Sequence, residues 1–280
     1  MTSSIEPRLR HALAAHPRRI IACSGGVDSL LLADVAHQAA PGSTVVAHSV
    51  TPAVPRAATE RVRRTAEALG WQLRLVESAE LSDERYLANP VDRCFFCKTN
   101  LYDELERIVE DLAPDTTWTL MSGANVDDLG EYRPGLLAAA EHHVRHPYVD
   151  AGLGKGDIRA LAAARAREWH DLPAAPCLAS RLYTGTPVTP GLLRAVEEGE
   201  ITARSRTGLE VLRCRVRGSE VLVEVPADDR VLVTAAVLDG VLEAMRPHAP
   251  SSPPSTSTPT PTPPAAPSCS CPSADPSETL

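Results

Sequence analysis

Residues 23 to 32, CSGGVDSLLL, set small residues, an aspartate and a second serine between an apolar run and an apolar helical pattern. Ser24, Gly25 and Gly26 let the backbone turn tightly and bring successive N–H groups against an oxyanion. Val27 and Asp28 lead into the helix, and Ser29 adds a hydroxyl at a helix N-terminus whose dipole favours negative charge. This is the composition of a phosphate cradle. It is neither G-x-x-x-x-G-K-[ST] nor G-x-G-x-x-G, so the usual GTPase and dinucleotide readings do not apply. Asp28, with Asp127, Asp128 and Glu131 further along, offers carboxylates to Mg²⁺ or to a cationic substrate; an acidic helix cap accounts for Asp127 and Asp128 almost as well.

Sulfur is the second resource. Of seven cysteines, Cys94 and Cys97 form a C-x-x-C pair able to reach one metal, and Cys177 in PAAPCLASR supplies a third sulfur. Three thiolates suit an iron–sulfur cluster better than a closed structural zinc site, which usually takes four. Cys23 and Cys214 fall on expected strands and read as packing residues, and Cys269 and Cys271 as exposed thiols. The N-terminal residues contain no hydrophobic signal core and no apolar stretch is long enough to span a bilayer, so the expected location is cytoplasmic, with no membrane contact, and a disulfide framework is not expected.

Among 28 basic residues only Lys98 and Lys155 are lysines. A compact ammonium suits a point contact, which makes Lys155, with Arg133, a candidate for phosphate oxygens such as the β- and γ-phosphates that a nucleotide would place at the cradle; a solvated surface lysine accounts for Lys155 about equally well. Lys98 would keep nearby thiols charged, and Arg181, four residues after Cys177, would do the same there. In RCRVRG, Arg215 and Arg217 alternate on one strand face and can converge on one phosphate; an exposed basic face is the plainer alternative.

The elements that must position these groups alternate between β-rich runs and helical patterns, as in a parallel sheet covered by helices. Strands are expected at 18–23, 43–50, 71–78 and 118–123. Helices are expected at 28–39, 57–69 (closed by Gly70), 104–112, 135–142 and 155–168. After residue 171 the pattern becomes a helix at 192–205, strands in VLRCRVRG and EVLVEVP, and a helix near 229–245. The expected organisation is an α/β domain over 1–171, a small α+β domain over 172–247, and a disordered tail over 248–280, where ten of the 25 prolines lie. The net charge of −8 disfavours a general nucleic-acid binder.

SGGVDS after a first strand resembles the PP-loop of the ATP pyrophosphatases, which bind ATP, release pyrophosphate and transfer AMP to a substrate oxygen. With RCFFCKTNLYDEL, SGANVDDLGEYRPG, GLGKGDIRALA and PAAPCLASRLYTGTPVT following in order, the chain resembles the LarE family of sulfur transferases over nearly all of residues 15–248. The resemblance implies an α/β, Rossmann-like (HUP/PP-loop) sheet with helices on both faces and a smaller C-terminal domain. It further implies ATP and Mg²⁺, with nucleotide contacts at Ser24 to Ser29, Gly123 and Lys155, and a pyridinium-3,5-biscarboxylic acid mononucleotide substrate whose carboxylates are adenylated and thiolated on the way to the nickel-pincer cofactor. Arg133, Arg181, Glu200, Arg215, Arg217 and Glu224 would face that substrate.

Cys177 matches the sulfur-delivering cysteine, either sacrificed to dehydroalanine or joined with Cys94 and Cys97 around a [4Fe–4S] cluster. Partners would be other enzymes of the cofactor pathway and further copies of the chain, since family members form rings. Two other readings stay open: a tRNA-thiolating PP-loop enzyme, disfavoured by the acidic balance, and a non-catalytic ATP-binding regulator that recruits partners through its tail.

Overall fold

The computed structural model describes residues 4–112, 117–130, 132–248 and 255–261. The acidic residue Glu131, the tail thiols Cys269 and Cys271, and most of the expected tail lie outside the described residues.

Four strands form a wholly parallel sheet in the order β3-β2-β1-β4: β1 Arg19–Ala22, β2 Thr44–Ser49, β3 Gln72–Val76 and β4 Thr119–Ser122. In register Ile20 lies beside Val45 and Leu120, and Ile21 beside Val46 and Met121. Because successive side chains point to opposite faces, the two rows enter different cores. Ile21, Val46 and Met121 pack with α1 (Ile5–Ala14), α2 (Val27–Ala39), part of α3 (Arg56–Leu69) and α8 (Lys155–Ala164). Ile20, Val45 and Leu120 pack with α5 (Arg93–Leu112) and α6 (Pro134–Glu141). Helices therefore cover both faces, as in Rossmann-like folds. Short helices α4 (Glu84–Leu87) and α7 (Pro147–Asp150) complete this part.

A third core gathers around α9 (Pro190–Thr207), the antiparallel pair β5 (Arg213–Arg217) and β6 (Glu220–Val225), and α10 (Ala235–Met245). It also takes in Ala53 and Tyr86 from the first half. The segment Ser255–Pro261, expected within a disordered tail, runs parallel beside β6 as β7. Its prolines suit an edge position, where a missing N–H costs no ladder bond. Among the described residues no helix is long and apolar enough to cross a membrane.

Three expectations are corrected. Helix α5 begins at Arg93 rather than Glu104, so the C-x-x-C pair lies on its first turns; Cys, Phe, Thr and Asn are weak helix formers, and packing overrides them. The last helix opens at Ala235, capped by the Thr234 side chain, after a 3₁₀ stretch over Ala227–Leu232. The eighth helix stops at Ala164, not at 168.

Candidate active site

In this strand order β1 is the point at which connections turn from one side of the sheet to the other. The crevice beyond the carboxyl ends of β1 and β4 is where open α/β sheets hold ligands. Both SGGVDS and the SGAN loop emerge there. Ser29 Oγ organises the cradle: it accepts the Ser24 N–H (3.1 Å), lies 3.1 Å from Ser24 Oγ and donates to the Gly26 carbonyl (3.1 Å). Gly25 has φ +80°, and a Cβ there would stand 2.9 Å from the Ala58 carbonyl of α3. Gly26 is the N-cap of α2 and no side chain caps that helix, leaving its first N–H groups facing the crevice. From β4, Gly123 approaches so closely that a Cβ would lie 3.1 Å from the Ser29 nitrogen.

Asp28 is held from two sides. Asn125 Nδ2 donates to its carboxylate (3.0 Å), and the Tyr148 hydroxyl donates to its main-chain carbonyl (2.8 Å). Burial, and then the nearby Asp128 carboxylate, raise the Asp28 pKa above the ordinary aspartate value. An acid whose folded pKa lies above its unfolded one binds more protons when folded, so it subtracts stability as pH rises through that interval. Asp28→Asn is therefore expected to raise the Tm more at about pH 7.5 than at about pH 4, while impairing any Mg²⁺ or nucleotide function. Calorimetry at the two pH values checks this; an equal shift at both would refute it.

Asp128 is buried and caps its own turn by accepting the Asn125 N–H. Arg133 (2.9 Å) and Lys155 (3.3 Å) both pair with its carboxylate, and the Lys155 main-chain N–H reaches Asp127 (2.7 Å). The two cations proposed for nucleotide phosphates are thus brought together, on an acidic pivot. His48, buried at the end of β2, donates from Nδ1 to the Cys23 carbonyl (2.8 Å) and accepts at Nε2 from Thr59 (2.9 Å). Burial lowers its pKa, so it braces the loop as a neutral ring. Cys23 is buried and its thiol is pushed up to about 11, chiefly by burial.

Two of the sulfur residues adjoin the C-terminal core. Cys94 and Cys97 are one turn apart on α5. Cys97 and Cys177 both pack against the third core. Burial pushes the Cys97 thiol up to about 12, with Cys177 and Glu80 adding to the rise against an opposing Lys98. Burial works against charge on Lys98 too, yet Tyr102, Cys97, Cys94 and Cys177 hold its ammonium above the ordinary lysine value.

Cys177 caps the 3₁₀ turn Leu178–Arg181, and its surroundings grip the backbone rather than the thiol. The Leu178 N–H donates to the Ala53 carbonyl (2.8 Å), Ser180 Oγ to the Cys177 carbonyl (2.7 Å), and Arg181 Nη1 to the carbonyls of Pro176 (2.6 Å) and Cys177 (3.2 Å). Arg181 is buried and its Nε meets Glu200 Oε1 at 2.9 Å. The Arg181 guanidinium therefore orients the Cys177 loop.

On β5, Arg213, Arg215 and Arg217 share a face. Arg215 binds Glu224 (2.6 Å) and the Ser180 carbonyl (3.1 Å), and Arg217 is an exposed arginine bound to Glu220 (2.8 Å) and stacked near Tyr183. Arg213, which sequence reasoning passed over, is half-buried, and burial followed by Arg181 and Arg215 lowers its pKa. The carboxylates of Glu224 and Glu200 oppose that shift. The signal for Arg213 in the sequence was the same alternation that picked out Arg215 and Arg217, extended by one step. Asn125 and Tyr148, which fix Asp28, carried no such signal.

No family model matches the chain. It is 34% identical over 228 residues to the uncharacterized protein slr1717 of Synechocystis sp., covering 81% of this chain and 84% of that protein. It is 28% identical over 200 residues to the uncharacterized protein MJ0830 of Methanocaldococcus jannaschii, 71% of each chain. It is 27% identical over 216 residues to the pyridinium-3,5-bisthiocarboxylic acid mononucleotide synthase of Lactiplantibacillus plantarum, 77% of each.

Proposed function

The chain belongs to the family of the Synechocystis protein slr1717, and on that premise, joined to its more distant similarity to a pyridinium-3,5-bisthiocarboxylic acid mononucleotide synthase, we propose that it is an ATP-dependent sulfur transferase of the LarE type. One observation carries the reading. The segment 53–58 touches both the phosphate cradle, at Gly25, and the Cys177 loop, through the Ala53 carbonyl. That shared piece of backbone supports reading the cradle as a nucleotide site that works together with a sulfur site at Cys177.

In this reading the cradle N–H groups and Ser29 hold the triphosphate. Asp28 holds Mg²⁺, and Lys155 and Arg133 shift part of their contact from Asp128 to phosphate oxygens. The arginine face of β5 takes the substrate's own phosphate, with Glu224 and Glu200 keeping those guanidinium groups in place. A substrate carboxylate oxygen attacks the α-phosphorus and pyrophosphate leaves; sulfur supplied at Cys177 then attacks the acyl carbon, and AMP departs with that oxygen. If the sulfur is the cysteine's own, its Cβ–S bond breaks by β-elimination, giving a thiocarboxylate and leaving dehydroalanine.

Three cysteine thiolates as a donor set suit an iron–sulfur cluster better than a structural zinc, which usually takes four ligands. Bound there, a cluster would supply sulfide for repeated transfer. Cys94, Cys97 and Cys177 would hold it, with Lys98 balancing their charge.

The test is anaerobic purification with iron and acid-labile sulfide analysis, then intact mass and pyrophosphate release with the pyridinium dicarboxylate mononucleotide and MgATP. A loss of about 34 Da, one H₂S, marks sacrifice of Cys177; unchanged mass with bound iron and several turnovers marks the cluster route. No pyrophosphate release would end the proposal.

A further inference from the structure

Two carbonyl oxygens of the cradle are taken by side chains that reach in from outside it. His48 Nδ1 takes that of Cys23 (2.8 Å), and Arg61 Nη1 takes that of Gly25 (2.8 Å). Arg61 stands on α3, the helix whose Ala58 and Val62 crowd Gly25 so closely that only a glycine fits. It is half-buried, and no carboxylate pairs with it among the described residues. Glu60, its neighbour in the chain, pairs with Arg64 instead (3.9 Å).

A trans peptide is planar, with its C=O and N–H pointing to opposite sides. Fixing the Gly25 carbonyl toward α3 therefore turns the Gly26 N–H the other way, where Ser24 Oγ lies 3.4 Å from it, long for a hydrogen bond. The Ser24 N–H, by contrast, already has Ser29 Oγ at 3.1 Å. Gly26 thus carries a donor that is aimed but hardly spent, at the N-cap of a helix that no side chain caps. A guanidinium on the carbonyl side also polarises the peptide and strengthens that donor. Without Arg61 the peptide has glycine on both sides and is free to flip, and flipped it would present a carbonyl oxygen to a phosphate.

We infer that Arg61 is a positioning residue for the nucleotide: by holding the Gly25–Gly26 peptide it keeps the Gly26 N–H turned toward the phosphates. This rests on the nucleotide-binding part of the function proposed above.

Arg61→Met keeps the aliphatic stem, and Arg61→Lys keeps a charge and a donor. In the full chain with glycine-selective ¹⁵N labelling, the Gly26 amide is identified by its loss in Gly26→Ala and read without nucleotide. Arg61→Met is expected to shift or broaden this resonance and leave glycines distant from α3, such as Gly199 and Gly240, in place; Arg61→Lys stays nearer wild type. Calorimetric titration with MgATP is expected to show affinity lowered about tenfold or more by Arg61→Met and about threefold by Arg61→Lys. A general collapse of the fold would move the distant glycines as well and would not be relieved by lysine.

A Gly26 amide indifferent to Arg61→Met, or an MgATP affinity within about twofold of wild type, overturns the inference. If the wild type binds no MgATP, the nucleotide reading fails by itself, and inorganic pyrophosphate with Mg²⁺ becomes the probe. A pyrophosphate affinity that falls with Arg61→Met keeps Arg61 as the residue that sets an anion cradle; binding of neither probe ends the inference too.

Discussion

Cys177→Ala is expected to abolish thiocarboxylate formation, lowering it by about 10³-fold or more, while substrate-dependent pyrophosphate release stays within about a factor of three of wild type. The separation follows from how the residue is held. The contacts around position 177 are made by its carbonyl and by the Leu178 N–H, none of which the substitution touches. The cradle, Asp28 and Asn125 form their own hydrogen-bonded unit at the ends of β1 and β4. Truncating one half-buried thiol should cost no more than about 1 kcal/mol of stability. Mass spectrometry of the pyridinium product, alongside a pyrophosphate assay, reads both effects; undiminished thiolation by the variant would remove Cys177 from the reaction.

Glu200→Ala is expected to destabilise the fold by about 3–5 kcal/mol, because it leaves Arg181 charged, buried and without its carboxylate. Both side chains of this pair are almost wholly buried, at 4% and 3% exposure. Glu200 also accepts the Cys214 N–H (3.2 Å) and a contact from Arg204 (2.9 Å). The Arg204 part is worth little, since that side chain is over a third exposed. Urea unfolding should show a lower midpoint at unchanged slope, and Glu200→Gln, which keeps an acceptor, should lose about half as much or less. A midpoint for the alanine variant equal to wild type would mean that Arg181 finds solvent or another partner. Because Arg181 also holds the Pro176 and Cys177 carbonyls, this pair couples the stability of the C-terminal core to the placement of the sulfur.

The sheet was readable because its strands are short β-branched runs bounded by turn residues, and SGGVDS because the tight approaches at Gly25 and Gly123 admit no side chain. The start of α5 was not readable, since nothing local in DRCFFCKTN favours a helix and the contacts that impose it come from elsewhere in the chain. Helices α1, α4 and α7 were missed: α4 and α7 are four residues each, too short for periodicity to show. For charged residues the structure gives partners that spacing along the chain does not show. Arg133 and Lys155 were assigned to phosphate, and in the structure both rest on Asp128. Arg181 was assigned to a thiolate, and it grips carbonyl oxygens and Glu200. Spacing along the chain shows which charges can meet, whereas long-range packing decides which do.

The near absence of lysine has a chemical consequence. An acyl adenylate is itself an acylating agent, and a guanidinium, always protonated, is a poor target for it. Among side chains the only primary amines are Lys98 and Lys155, the first kept charged by its neighbours and the second engaged with Asp128. An activated ester that escaped, or one added by an experimenter, would find an arginine-clad exterior almost inert to it. Amine-directed labelling of side chains would then report on exposed Lys155 and half-buried Lys98 instead of on the surface at large.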